Sequence, residues 1–157
     1  MKKLLFTLLF LTFGTAWGGA FEDGLAAANR KDYATAIKLW RPLAEQGYSG
    51  AQYNIGLMYH NGQGVLQDYK EAVKWYRLAA EQGDVFSHVN LGNMYYNGQG
   101  VLQDYAHAHM WYNLASAAGD ADATKNRDKV AKLMTPQQIE KAQGMAKACQ
   151  ARNFKGC

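Results

Sequence analysis

The nonapeptide NGQGVLQDY occupies Asn61–Tyr69 and recurs letter for letter at Asn97–Tyr105. The match extends outward at a constant shift of 36 residues, and Tyr48–Gly83 and Asp84–Gly119 agree at 19 of 36 positions. A shorter relative, KDYATAIKLWRPLAEQG, places Asp32-Tyr33, Trp40 and Gly47 one period ahead of Asp68-Tyr69, Trp75 and Gly83. A fixed period of roughly 20–50 residues marks a stack of similar units, each burying its apolar face only against its neighbours.

Each unit reads as two helices. In the middle unit, Ile55, Met58 and Tyr59 fall at helical spacing within a helix A of about 51–60. Ala72, Trp75, Tyr76 and Ala79 make the apolar stripe of a helix B of about 69–81. Asp68 directly precedes helix B and Glu71 follows three residues later, the pattern of an N-cap with a capping box; Asp32 and Asp104 stand at the same place. That capping role explains these aspartates without any catalytic pairing of carboxylates. Gly47, Gly83 and Gly119 end each helix B, where a left-handed residue is wanted. Gly56 and Gly92 lie inside helix A, where glycine costs about 1 kcal/mol against alanine unless a partner helix comes close. The intervening NGQGVLQ is the A–B loop, with Val65 and Leu66 expected to tuck inward. Gln67 and Gln103 stand where a phosphate-binding GxGxxG would need its third glycine, so the loop is structural.

Units of this length carrying A…LG.MY..G.GV..D...A..WY..AA..GD resemble Sel1-like repeats of the exported bacterial type, relatives of the tetratricopeptide repeat. The resemblance covers about residues 21–120. It implies an all-α fold, a right-handed α-solenoid of stacked antiparallel helix pairs. Residues 21–47 form an abbreviated first repeat that lacks the Gly-rich loop extension and has a short helix A. Residues 48–83 and 84–119 are full repeats. Residues 120–157 form the C-terminal capping helices: Asp120 caps a degenerate helix A through ATKNRDKVAKLM, and Thr135, Pro136 and Gln138 open a polar last helix carrying Lys141 and Lys147.

The N-terminus looks like an export signal. MKK is a positive start, Leu4–Phe13 is an apolar run, and the small residues of GTAWGGA follow. A membrane span needs about 20 apolar residues, and this run ends too soon. Cleavage after Gly18 or, in preference, after Ala20 makes residues 1–20 a signal peptide; an uncleaved anchor is the alternative. Periplasmic or secreted location follows, with membrane contact only through that segment before cleavage. Export makes the cysteines informative. Cys149 and Cys157 are an even count in an oxidising compartment, and a bridge would close a nine-residue loop and pin the C-terminus. Two thiols eight apart with no histidine nearby make a poorer metal site.

Catalytic constellations are missing. Ser49, Ser87 and Ser116 are the serines, none framed as GxSxG or followed at +3 by lysine, and HExxH, P-loop and paired CxxC motifs are absent. His60, His88, His107 and His109 are scattered and read as ordinary surface residues rather than metal ligands. Some exported Sel1-like proteins are described as penicillin-binding or β-lactamase-like, but those carry a bridge in each repeat. Here the repeats hold no cysteine, so that activity is the alternative and the expectation is no enzyme, no metal and no cofactor.

What remains is a surface. Placing the tetratricopeptide groove on this sequence gives Tyr53, Leu57 and His60 from one unit and Val89, Asn93 and Tyr96 from the next. Asn54 and Asn90 neighbour them and could grip a peptide backbone. Leu57 and Val89 suit interhelical packing equally well, whereas Tyr53, Asn93 and Tyr96 suit a half-exposed groove. The expected function is an exported interaction scaffold, a monomer that docks a protein or peptide on its concave helix-A face and does not bind nucleic acid. A different binder is conceivable. Residues 19–120 carry 7 basic and 10 acidic residues but residues 121–157 carry 8 and 3, so the basic C-terminal segment could hold an anionic envelope surface.

Overall fold

The structure is a computed structural model that describes residues 10–157, with side chains from residue 19 onward. The apolar run and charged start over residues 1–9, which carry most of the expected signal, lie outside the described residues. Eight helices and no strand are found among the described residues: α1 (Phe10–Asn29), α2 (Tyr33–Glu45), α3 (Ser49–Asn61), α4 (Tyr69–Ala80), α5 (Val85–Asn97), α6 (Tyr105–Ala117), α7 (Ala121–Ala131) and α8 (Pro136–Ala151). Helices pair as α1–α2, α3–α4 and α5–α6, and α2–α3 and α4–α5 join one pair to the next. This is an all-α solenoid. No described helix is long and apolar enough to cross a membrane. α1 runs unbroken past Gly18 and Ala20, so it is longer than the short first helix the sequence suggested.

Caps fix the start of each helix B. The Asp68 carboxylate accepts from the Lys70 and Glu71 amides, and Asp104 accepts from Ala106 and His107 in the same way. The capping box expected at Glu71 does not form. The Asp68 amide already donates to the Tyr59 carbonyl at the end of α3, and Glu71 turns to Lys74 at 3.3 Å instead. A complete capping box occurs where Thr135 and Gln138 open α8.

The interior glycines of helix A do mark close approach. A Cβ on Gly56 would meet the Tyr76 ring at 2.7 Å, and one on Gly92 would meet Tyr112 at 2.6 Å. In the first unit Gly24 lies against Trp40 in the same manner. Trp40 therefore takes the place of Tyr76 and Tyr112, not that of Trp75 as the sequence comparison suggested. One residue of register separates the two alignments, and packing against the glycine decides it.

The repeated loop docks backwards. Gly100 sits on the backbone of Tyr69 at the start of α4, and Gly64 sits on Tyr33 at the start of α2. Val65 and Val101 are half-buried against the core. Leu66 and Leu102, expected to tuck in beside them, are 92% and 90% exposed. The valine and the glycine before it fill the space over the neighbouring helix, and the next side chain is turned outward.

Buried hydrogen bonds hold one unit on the next. Gln52 donates from Nε2 to the Ala44 carbonyl at 3.0 Å, and His88, one period later, meets the Ala80 carbonyl at 3.1 Å. Arg41 donates to the Tyr59 hydroxyl and Arg77 to the Tyr95 hydroxyl, again one period apart. His88 and His109 are thus buried, not surface residues. His88 stacks on Trp111, with ring centroids 5.5 Å apart, and a carbonyl can only accept, so its proton sits on Nε2.

A pH dependence follows from the buried imidazoles. Burial lowers the pKa of His88, although the Ala80 carbonyl and the Asp84 charge oppose the shift. Burial also lowers His60, and burial together with Arg127 lowers His109 against the opposing Asp128 charge. The unfolded chain then takes up protons first as the pH drops below its ordinary imidazole value of 6.5. Their stabilising contribution is fully present above that value and lost as the pH falls toward the folded-state pKa. The melting temperature should decline from pH 7.5 to pH 5. His88→Gln, which copies Gln52, should keep the neutral-pH stability and flatten part of that decline. An unchanged slope in thermal melts of this variant would refute the assignment.

Candidate functional site

The described helices leave a cleft of about 190 Å³ between α5 and α7. Asn93, Tyr96 and Asn97 line it from α5, Asn126, Lys129 and Val130 from α7, and Tyr112 reaches it from α6. α7 holds its position through α6, and α8 also finds its main contact on α6 rather than completing a hairpin with α7. The helix A face of α7 is therefore left open toward α5.

Several contacts order the lining. The Tyr112 hydroxyl donates to Asn93 Oδ1 at 2.7 Å, which turns the Asn93 amide NH₂ away from the phenol. Burial pushes the Tyr112 hydroxyl up to about 12, with the nearby Tyr96 adding to the shift, so it stays a donor at any physiological pH. The Lys129 ammonium lies 5.3 Å from the centre of the Tyr96 ring, a cation–π distance. Tyr96 also leans on Tyr105, with centroids 5.7 Å apart. Val130, only 1% exposed, makes an apolar floor.

Asn93 and Tyr96 are the two sequence-predicted residues that this cleft brings together. The other six lie further along α3 and on the first turns of α5. Tyr53 is half-buried, its ring 6.0 Å from Tyr76 and 5.8 Å from Phe86. Burial raises its pKa, with Asp84 adding to the effect and Asn90 opposing it. His60 is held between Tyr69 and Tyr76, with its Nδ1 buried and unpartnered. Asn90 donates to the Phe86 carbonyl at 2.9 Å within its own helix. Asn54, Leu57 and Val89 are half-buried.

Among the described residues no group of three or more histidines, cysteines and acids is placed to hold a metal ion. Cys149 and Cys157 form a disulfide, with Cα atoms 5.7 Å apart. Such a bond belongs in an oxidising compartment.

The sequence matches the Sel1 repeat over residues 17–48, 49–84 and 85–120, together well over half of the chain. The chain belongs to the Sel1 repeat family. Its fold is similar to that of a protective antigen present in uropathogenic Escherichia coli strains and displaying an SLR fold, with a TM-score of 0.83 and 30% identity. That likeness covers 88% of this chain but 30% of the antigen, so this chain spans under a third of its length. A Sel1 repeat protein from Oxalobacter formigenes is similar at a TM-score of 0.65 and 32% identity, over 72% of this chain and 88% of that one. No curated protein matches. Sel1 repeat proteins are in general protein–protein interaction scaffolds and typically non-catalytic.

The Sel1 period also shows how the rest of the cleft could have been found. Asn54, Asn90 and Asn126 are 36 residues apart in turn, as are Leu57, Asn93 and Lys129. One more step of the period past Asn90 and Asn93 reaches Asn126 and Lys129, two of the three cleft residues of α7. Sequence identity fades beyond Gly119, which hid the step.

The same comparison yields a prediction. In the second Sel1 repeat Leu57 stands where Asn93 stands in the third, and the buried Tyr76 hydroxyl has no partner. Tyr112→Phe should lower stability by about 1 kcal/mol, because it removes a hydrogen bond and strands Asn93. Tyr76→Phe should be neutral or stabilising, because it removes a buried hydroxyl with nothing to bond. Equal losses in urea denaturation would show that Tyr76 is bonded in solution.

Proposed function

We propose that this chain is an exported interaction scaffold whose concave groove, along α3, α5 and α7, holds a protein or peptide segment of an envelope complex. The observation that carries the reading is the cleft between α5 and α7. Its Asn93, Tyr96, Asn126 and Lys129 side chains present amide, aromatic and cationic groups that the core does not need. The conduct of Sel1 repeats in general supports it, and so does the line of Tyr53, Asn54, Leu57, His60, Val89 and Asn90 extending the groove along α3 and α5. The apolar N-terminal run and the disulfide support export. If cleavage follows Ala20, the mature chain starts at Phe21, whose carbonyl accepts from Trp40 Nε1 at 3.1 Å and so still closes the first pair.

Crosslinking from the envelope fraction, followed by mass-spectrometric mapping, tests the groove. The adducts should fall on α5 and α7, and Tyr96→Ala should weaken the interaction by roughly tenfold, as a hot spot does, with helical content unchanged. Charge reversal at the exposed Lys141 and Lys147 on α8 should leave it intact. The opposite pattern would move the site to the basic C-terminal segment and an anionic partner. N-terminal sequencing should begin at Phe21 or Gly19; an intact Met1 in a cytoplasmic fraction would defeat the export reading.

A further inference from the structure

A second cavity, of about 200 Å³, lies among the B helices and the C-terminal tail and shares no residue with the groove. Arg77 and Glu81 line it from α4 and its C-cap, Trp111 from α6, and Gly156 and Cys157 from the tail. Arg77 and Glu81 are four residues apart, a spacing at which opposite charges meet across a helix turn. Among the described residues no ion pair joins them. The Arg77 guanidinium donates to the Tyr95 hydroxyl instead, and Glu81 Oε1 accepts from the Gly156 amide at 3.2 Å. The two charges are thus held apart on the cavity wall. Trp111 supplies a third group. It is 1% exposed and stacked on His88, yet its indole N–H has no hydrogen-bond partner. A buried donor left unpaired costs roughly 1–3 kcal/mol, which an acceptor brought by a ligand would recover.

The repeat offers an internal comparison. One period earlier Arg41, Glu45 and Trp75 stand at the same three places, Arg41 donates to the Tyr59 hydroxyl, and Trp75 Nε1 is likewise unpartnered. The tail meets Glu81, Gly83 and His88, so it roofs the later set. Charge then selects the occupant. A guanidinium and an indole N–H are donors that suit a carboxylate, and Glu81 keeps Oε2 for an ammonium. A simple anion would meet the Glu81 charge and a simple cation the Arg77 charge, whereas a molecule carrying both satisfies both. The volume equals on the order of six waters, room for a molecule of about six heavy atoms, the size of alanine.

We propose that this cavity binds a small zwitterion, a free α-amino acid, with Arg77 and Trp111 Nε1 holding the carboxylate and Glu81 the ammonium. The Cys149–Cys157 bridge keeps the roof of Gly156 and Cys157 in place, so occupancy depends on the oxidised tail. The site stands apart from the groove and does not rest on the scaffold reading above.

NMR of the isotope-labelled, oxidised protein tests this, with the Trp111 indole N–H signal as reporter and that of Trp75 as control. L-Alanine should move the Trp111 signal downfield, saturably and at millimolar concentration, and leave the Trp75 signal in place. N-Acetylalanine, which lacks the ammonium, and alaninamide, which lacks the carboxylate, should each need at least tenfold more for the same shift. Glu81→Gln keeps an acceptor for the Gly156 amide and should erase the preference for alanine over N-acetylalanine. Replacing both cysteines with alanine should weaken alanine binding at least tenfold, with helical content unchanged. Equal shifts from alanine and either capped probe in the parent protein would overturn the choice of a zwitterion. Equal movement of the Trp75 and Trp111 signals would overturn the roofed site. Undiminished binding in the double-alanine variant would overturn its dependence on the bridge. No shift at Trp111 with any of the three probes would overturn the site itself.

Discussion

Gly100→Ala should lower the unfolding free energy by about 2–4 kcal/mol, a large fraction of what holds a domain of this size together. Two effects act together. Gly100 has φ +70°, a left-handed conformation in which alanine is strained by about 1 kcal/mol. An added Cβ would also lie far inside van der Waals contact with the Tyr69 carbonyl, which is backbone at the first turn of α4 and cannot rotate away. The loop would have to lift off the preceding repeat, and the half-buried Val101 would lift with it. Gly119 provides the control. It has φ +98° but meets nothing within 4 Å, so Gly119→Ala should cost only the conformational part, about 1 kcal/mol. Urea denaturation of the two variants measures the difference. Equal losses would mean that the loop does not rest on α4 in solution, and the docking of one repeat's loop on its neighbour would be wrong.

That docking is also the physical answer to why NGQGVLQDY recurs unchanged. Glycine and aspartate were readable from sequence because each does a local job: turning the chain and capping helix B. The backward contact to Tyr69 or Tyr33 is not local, and nothing in the nonapeptide alone announces it. His88 shows the same boundary. At helical spacing an imidazole reads identically whether it faces water or a neighbouring helix. What places it inside is the carbonyl of Ala80, on the previous unit, and the equivalence to Gln52 becomes visible only once both bonds are seen. Leu66 failed for the complementary reason. Apolar character argued for burial, but Gly64 and Val65 had already filled the space above α2. For the candidate site, two of the eight residues named from the sequence, Asn93 and Tyr96, line the cleft. Of the rest of that cleft, Asn97 lies on α5 and Tyr112 on α6, while Asn126, Lys129 and Val130 come from α7, where the 36-residue period continues but identity to the repeats has faded.

Breaking the Cys149–Cys157 bond should lower stability by about 2–3 kcal/mol, the chain-entropy value for a loop of this length. The bond closes a short tail back onto the repeats, and the tail has little else to hold it. Asn153 and Phe154 both have positive φ, at 49° and 65°, conformations that disfavour non-glycine residues. In return Phe154 places its ring 5.2 Å from that of His88 and against Gly83, and the Gly156 amide donates to Glu81 at 3.2 Å. Without the bridge, the backbone cost of those two residues opposes only the packing of the half-buried Phe154 ring, the local turn hydrogen bonds and one exposed hydrogen bond to Glu81, so the tail should detach. Replacing both cysteines with alanine keeps Cys149's buried place on α8 filled by a small apolar group and removes only the link. Hydrogen exchange at residues 152–157 should accelerate sharply in that variant while α3 and α4 keep their protection. Detachment also uncovers His88 on one side, and since burial is the main cause of its lowered pKa, the variant should lose less stability between pH 7.5 and pH 5 than the parent. Unchanged denaturation midpoints in the oxidised and double-alanine proteins would show that the tail holds by contact alone. Two free thiols in protein purified from the exported fraction would remove the premise.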